Sequence, residues 1–372
     1  MATQLDRGLM EALKAFGMKD EAMQCYQCGN CVGVCSLSEG RTAFPRKLVR
    51  YVQLGMKDKI MQSSEPWLCY YCGDCTEKCP RGADPGETMM ALRRYLTSLY
   101  DWTGFARRFY TSVAFEIGAV ATVAALVGLA FLIFHGPIVK DRVALNVFAP
   151  NRVIEVLDLL MAAVLSSVLL ISVYRCYRTV LGEIRSKIPL KTYLGQAKEL
   201  FIHTFTQKRF GLCEDRKQWW MHLLIMTGYS SIFLMVVVGI RWFQRDRIID
   251  PGYPALSVIM SLVGYYATFA ILYGTTYALM GRLKKSKAPY RNTHSTDWMF
   301  LILLQLTTLT GILVHFSIWL DLPVPTYVVY VIHLMIAVPM LVLEVPFAKW
   351  AHLAYRPMVL YLWKVRQSYE GS

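Results

Sequence analysis

The stretch Leu68–Pro80, "LCYYCGDCTEKCP", holds four cysteines at the spacing C-x2-C-x2-C-x3-C. The same spacing occurs earlier in "CYQCGNCVGVCS", at Cys25, Cys28, Cys31 and Cys35. Three thiolates this close can wrap three irons of one iron–sulfur cubane, while the fourth reaches across to a neighbouring cluster. The spacing predicts one 4Fe–4S cluster on Cys25, Cys28, Cys31 and Cys79. A second is expected on Cys69, Cys72, Cys75 and Cys35. Structural zinc needs only four ligands and usually shows paired C-x2-C knuckles, and disulfides are disfavoured in a reducing compartment. Gly29 and Gly73 suit a backbone that must bend its N–H groups toward sulfur. Cys176 and Cys213 have no cysteine neighbours in sequence and read as ordinary thiols. The first group ends Cys35-Ser36 and the second Cys79-Pro80, so the packing after the fourth cysteine should differ between the halves.

Outward from this region the chain becomes apolar. Of 372 residues, 55% are hydrophobic and 13% aromatic, and mean hydropathy is +0.34; such values point to membrane burial. Six apolar segments are long enough for a hydrocarbon core of about 30 Å. They run near 111–136, 154–177, 219–242, 255–280, 298–320 and 327–352. "DLPVP" breaks the last two apart, because proline ends one helix and can start the next. The net charge of +14 does not read as nucleic-acid binding, because Lys and Arg crowd into the loops between apolar runs. The basic loops lie between segments two and three and in "GRLKKSKAPYRNTHS". The positive-inside rule then puts both termini and the cysteine region on the cytoplasmic side of the inner membrane. The charged N-terminus lacks an apolar signal core and reads as a short amphipathic helix over residues 1–24. Further on, Asp84 and Pro85 have the residue types of a helix cap and first helical position.

Seven histidines follow. His203 and His294 sit in basic loops and are expected to be solvated. A histidine within a span is costly and is a functional candidate by default. His222 and His352 fall at the inner ends of segments three and six, His315 and His333 near the outer ends of five and six. His333 and His352 are 19 residues apart, or ~28 Å along one helix. Matched depths predict two bis-histidine haem b sites: His222 with His352 on the inner side, His315 with His333 on the outer. On one ideal helix the two rings would point about 100° apart, a mismatch that Pro339 and Pro346 can relieve by kinking it. His135 is a rival outer ligand. A quinone site needs groups that move protons beside a haem, and His135, Glu155, Asp158 and Glu344 are the candidates.

The cysteine region, including "LGMKDKIMQSSEPWLCYYCGDCTEKCPRGA", resembles the small C subunit of heterodisulfide reductase. "WWMHLLIMTGYSS", "TDWMFLILLQLTTLTGILVHF" and "YVVYVIHLMIAVPMLVLEVPFAKWAHLAYRP" resemble the cytochrome b subunits of heterodisulfide reductase and the gamma subunit of respiratory nitrate reductase. The nitrate-reductase pattern carries two histidines on an early helix, where this chain has only His222. A single chain joining both modules is similar to the C subunits of the quinone-interacting membrane-bound oxidoreductases of sulfate reducers. The resemblance covers roughly residues 20–110 and 215–357. It implies an all-α fold, with an α-helical, ferredoxin-like two-cluster domain over 1–105 and a six-helix transmembrane cytochrome b domain over 106–372. It also implies a relay between menaquinone and soluble flavin and iron–sulfur subunits related to the A subunit of heterodisulfide reductase, with electrons passing toward adenylylsulfate (APS) reductase. Two other expectations stay open: a heterodisulfide-reductase-type complex fed by another membrane carrier, and a membrane anchor or redox sensor without turnover.

Overall fold

The computed structural model describes residues 5–38 and 43–371, and every regular element among them is a helix. The expected N-terminal helix shortens to Leu9–Lys14 and a 3-10 turn at Asp20–Gln24; its first four residues lie outside the described ones. Helix Pro85–Tyr100 leaves the cysteine region as its sequence predicts. Pro85 holds the first turn, and the Asp84 carboxylate accepts the N–H of Glu87 at 3.2 Å, satisfying one of the donors that a helix start leaves open.

Six helices are long and apolar enough to cross a membrane: Val113–Phe134, Asn151–Ser186, Arg216–Ile240, Pro254–Leu283, Ser295–Trp319 and Pro323–Phe347. They are the first to sixth spans below. The third packs on the fourth, the fourth on the fifth, the fifth on the sixth and the sixth on the first. The second stands to the side, against the third span and the terminal helix His352–Glu370.

The sixth span differs from its sequence expectation. It ends at Phe347, and His352 opens a separate helix. A π-helical turn at Met340–Glu344 follows Pro339, and Ala348 leaves helical geometry altogether at φ −120°, ψ −142°. Proline removes a backbone donor and crowds the preceding turn, and π turns are a common site of helix distortion. His333 and His352 are therefore not two positions on one helix. The expected angular mismatch between their rings does not arise, because the helix breaks between them.

The cysteine region and the spans share one core. Leu9, Leu13, Leu48 and Trp67 pack in the same buried cluster as Cys176, Phe210, Tyr355 and Val359. Trp67, Tyr100 and Tyr355 meet ring to ring, with centroids 5.3–6.3 Å apart. Each fully buried aromatic is worth about 1.5–3 kcal/mol of transfer free energy. This contact thus ties the cysteine region firmly to the terminal helix.

Candidate functional site

The two sulfur cradles are one turn used twice. In each, the residue before the second cysteine (Gln27, Tyr71) and the glycine after it (Gly29, Gly73) take left-handed backbone angles. A short helix then carries the third cysteine, Asn30–Gly33 in the first half and Asp74–Glu77 in the second. Gly73 also needs its missing side chain, since a Cβ there would stand 2.8 Å from Pro289. The turns aim donors at sulfur: Tyr71 N–H reaches Cys69 Sγ at 3.3 Å, and Ala83 N–H reaches Cys79 Sγ at 3.4 Å.

The fourth cysteine of each motif lies with the other group. Burial pushes the Cys31 thiol up to about 11, reinforced by the sulfurs of Cys25, Cys79 and Cys28. Burial pushes Cys35 up to about 12, and its sulfur neighbours are Cys69 and Cys72. Cys75 is pushed well above the usual thiol range by burial, then by Cys69, Cys72 and Cys35, and last by Cys31 of the other set. Thiols so reluctant to ionise become thiolates against a metal cation. Two crossed sets of four sulfurs fit two iron–sulfur clusters.

Cys213 departs from its expectation. It is buried in the cluster against which Cys72 of the second set packs. The apolar "FGLC" within a basic loop was the signal available, and it folds back onto the cysteine region. His203 is likewise buried, 3.4 Å from Glu199, where a solvated surface residue was expected. His294 is half-buried: it caps the fifth span, its Nδ1 accepting the N–H of Thr296 at 3.3 Å.

A buried polar chain joins the cysteine region to the spans. The Tyr71 hydroxyl donates to Glu87 at 2.6 Å, Arg94 donates to the other Glu87 oxygen at 2.8 Å and lies 3.9 Å from Asp297, and Lys349 pairs with Asp297. Burial raises Glu87 above the usual carboxylate range, with Arg94 opposing. Glu87 and Arg94 stand two turns apart on one helix, whereas Asp297 and Lys349 come from distant parts of the chain, so no local pattern marks the whole set.

His222 and His352 come together at the end of the bundle that carries the cysteines. Their ring centroids are 6.1 Å apart at 65°. Metal–imidazole bonds of about 2 Å would let one metal ion stand between two rings at about this separation. His352 donates its Nδ1–H to the carbonyl of Lys349, which leaves Nε2 with a free lone pair; such an anchor is usual for a metal-bound histidine. His222 Nδ1 is buried without a protein partner. Both rings line a cavity of about 260 Å³ with Tyr70, Phe210, Trp350 and Arg356. Gly274 lets the third and fourth spans close beside it, since a Cβ there would stand 2.5 Å from Ile225. The pair fits a bis-histidine haem.

The other pair is not brought ring to ring in this arrangement. His315 Nε2 is bonded to the Tyr265 hydroxyl at 2.7 Å. His333 bonds Thr310 through Nδ1 at 3.0 Å and lies against Gly311, a helical turn deeper than His315. Among the described residues no ring contact joins His315 to His333. The quinone candidates are also dispersed. His135 donates Nδ1–H to the Gly136 carbonyl and stacks on Phe148 at the far end of the first span. Glu155 and Asp158 are half-buried on the second span. Glu344 is fully buried at the cysteine-side end, where one oxygen accepts the Lys349 N–H at 3.3 Å and the other has no partner.

Comparison with known proteins covers the cysteine region. Residues 24–83 match the 4Fe–4S dicluster domain family. A protein of Archaeoglobus profundus described as similar to the heterodisulfide reductase C subunit is 36% identical over 99 residues, 26% of this chain and 52% of the relative. The iron-sulfur C subunit of the CoB–CoM heterodisulfide reductase of Methanopyrus kandleri is 43% identical over 70 residues, 18% of this chain and 36% of that protein. The C subunit of the ferredoxin:CoB–CoM heterodisulfide reductase of Methanosarcina mazei is 30% identical over 86 residues, 23% and 52% of the two chains. The chain spans about half or less of the length of these relatives. No solved structure matches.

Proposed function

We propose that this chain is the membrane-embedded electron-transfer subunit of an oxidoreductase complex of the heterodisulfide-reductase type. It carries electrons between menaquinone in the cytoplasmic membrane and soluble flavin and iron–sulfur subunits. Its cysteine region and both termini then face the cytoplasm. The observation that carries this reading is the placement of the His222–His352 pair beside the sulfur cradles, within one continuous packed unit.

When bound, two 4Fe–4S clusters and two haems supply one-electron chemistry. Cys25, Cys28, Cys31 and Cys79 would hold one cluster, and Cys69, Cys72, Cys75 and Cys35 the other. His222 and His352 would hold one haem. The chain's own residues do the rest. The Lys349 carbonyl fixes the His352 tautomer, and the Tyr71, Ala83 and Gln27 N–H groups near sulfur favour negative charge there. The surrounding aromatic core excludes water and lowers the local dielectric. His315 and His333 would hold the second haem. The four quinone-site candidates belong to this proposal, with Glu344 supported by its burial and unpartnered oxygen.

At its finest, we place the chain with the C subunits of quinone-interacting membrane-bound oxidoreductases, supplying electrons for adenylylsulfate reduction. A second reading, favoured by the names of the relatives, is a complex that reduces a heterodisulfide. Purification of the complex from native membranes tests both. A b-type absorption band and two cluster signals, reducible by a menaquinol analogue, are expected. A preparation with both clusters and no b-type band would overturn the relay, and the co-purifying proteins separate the two readings.

A further inference from the structure

Each cysteine motif carries a tyrosine directly after its first cysteine, and the two tyrosines meet opposite fates. Tyr26 is 59% exposed, beside the exposed Cys28. Tyr70, its counterpart after Cys69, is 7% exposed and turned into the spans. Its ring stacks on Phe210 with centroids 4.9 Å apart and planes 14° from parallel. Phe210 in turn sets an edge against His222 at 5.9 Å, and His222 meets His352 at 6.1 Å.

Two arginines clamp this contact. Arg356 donates to the Cys69 carbonyl at 2.7 Å and lies 4.2 Å over the Tyr70 ring, a cation–π contact that holds the ring in place. Arg209, next to Phe210, donates to the Leu37 carbonyl at 3.3 Å, two residues after Cys35. Cys213, three residues after Phe210, lies in the buried cluster against which Cys72 packs. One short segment of the loop between spans two and three thus touches the surroundings of Cys35, Cys69 and Cys72, and also the histidine pair.

We propose that Tyr70 and Phe210 form the electronic junction between the Cys69–Cys72–Cys75–Cys35 cradle and the His222–His352 pair, which makes that cradle the membrane-facing one of the two. The proposal rests on the functional reading above. One electron crosses in either direction: one centre is oxidised by one, the other is reduced by one, and no bond or proton is exchanged. Neither ring is itself oxidised. Tunnelling falls off exponentially with the gap between centres and is slower across water than across packed atoms, so the rings that fill this gap set the rate. The Cys25–Cys28–Cys31–Cys79 cradle lies beyond it, on the exposed side.

The test is flash photoreduction of the full chain in its purified complex, following the b-type band and the cluster bleach together. Phe210→Leu and Tyr70→Leu should slow equilibration on the order of tenfold while leaving the optical and EPR spectra of each centre intact. Phe210→Tyr and Tyr70→Phe keep the rings and should restore the rate; the Tyr70 hydroxyl has no partner to lose. An unchanged rate in the leucine variants with intact spectra would overturn the junction. If those variants lose a cluster, spin relaxation in the unaltered protein decides. Faster relaxation by the oxidised haem of the cluster whose signal changes in Cys75→Ser supports the proposal, and faster relaxation of the other cluster sinks it. Absence of a b-type band would instead overturn the functional reading, and the end of this path with it.

Discussion

Arg94, on the helix that leaves the cysteine region, lies 3.9 Å from Asp297 at the start of the fifth span, and both side chains are buried. Arg94 also donates to Glu87 and to the Phe16 carbonyl, each at 2.8 Å. Removing one partner of a buried ion pair leaves the other charge uncompensated, which costs about 3–5 kcal/mol. Arg94→Met should therefore lower thermal stability in detergent and loosen the cysteine region from the spans, raising its hydrogen exchange while the spans stay protected. Unchanged exchange and melting would mean that the polar chain does not hold the two parts together.

The crossed sulfur sets make a directional prediction. Cys79→Ser should perturb the EPR signal of the cluster held by the first motif, because Cys79 lies with Cys25, Cys28 and Cys31. The second cluster's signal should persist. Loss confined to the second signal would contradict the crossing.

The histidine pair predicts haem content. His222→Ala and His352→Ala should each abolish the same b-type signal in a redox titration, whereas His315→Ala should leave it. A signal that survives His352→Ala and disappears in His315→Ala would reverse the assignment.

His294 gives a pH dependence. Burial, then the Arg94 charge, lowers it to about 4 from the unfolded 6.5. The folded chain therefore binds this proton less tightly than the unfolded chain. Its contribution to stability is complete above the unfolded value and is lost as pH falls from 6.5 toward 4. His294→Asn keeps a capping side chain and should flatten the loss of melting temperature between about pH 7 and pH 5. A variant with the same acid sensitivity as the parent would remove His294 as the source.

Much of this arrangement is legible in sequence because its causes are local. The cysteine spacing reflects how far adjacent thiolates can wrap a cubane, the six spans follow from unbroken apolar length, and Asp84–Pro85 is a start signal read from two residues. The His222–His352 proximity followed from matching depth. The rest depends on contacts between distant segments. Phe210, Cys213 and His203 sit in a loop whose basic residues suggested solvent, yet its apolar residues fold onto the cysteine region. Pro339 and Pro346 announce a distortion of the sixth span, but the place of the break at Ala348 and the bonds of His315 to Tyr265 and of His333 to Thr310 depend on packing among helices. Arg94 and Asp297 are ordinary charges until the fold buries both.

The shared core also bears on how the molecule is made. Leu9 and Leu13 pack in the same cluster as Tyr355, Val359 and Val365. Residues 9–13 are made well before residues 352–370, so this shared core closes only after the six long apolar helices between them have been made. Cluster loading that needs closed cradles becomes a late event, and a chain stalled before that point would carry its cysteines exposed to oxidants and proteases. The order of assembly is thus set by a core that draws on residues more than three hundred positions apart.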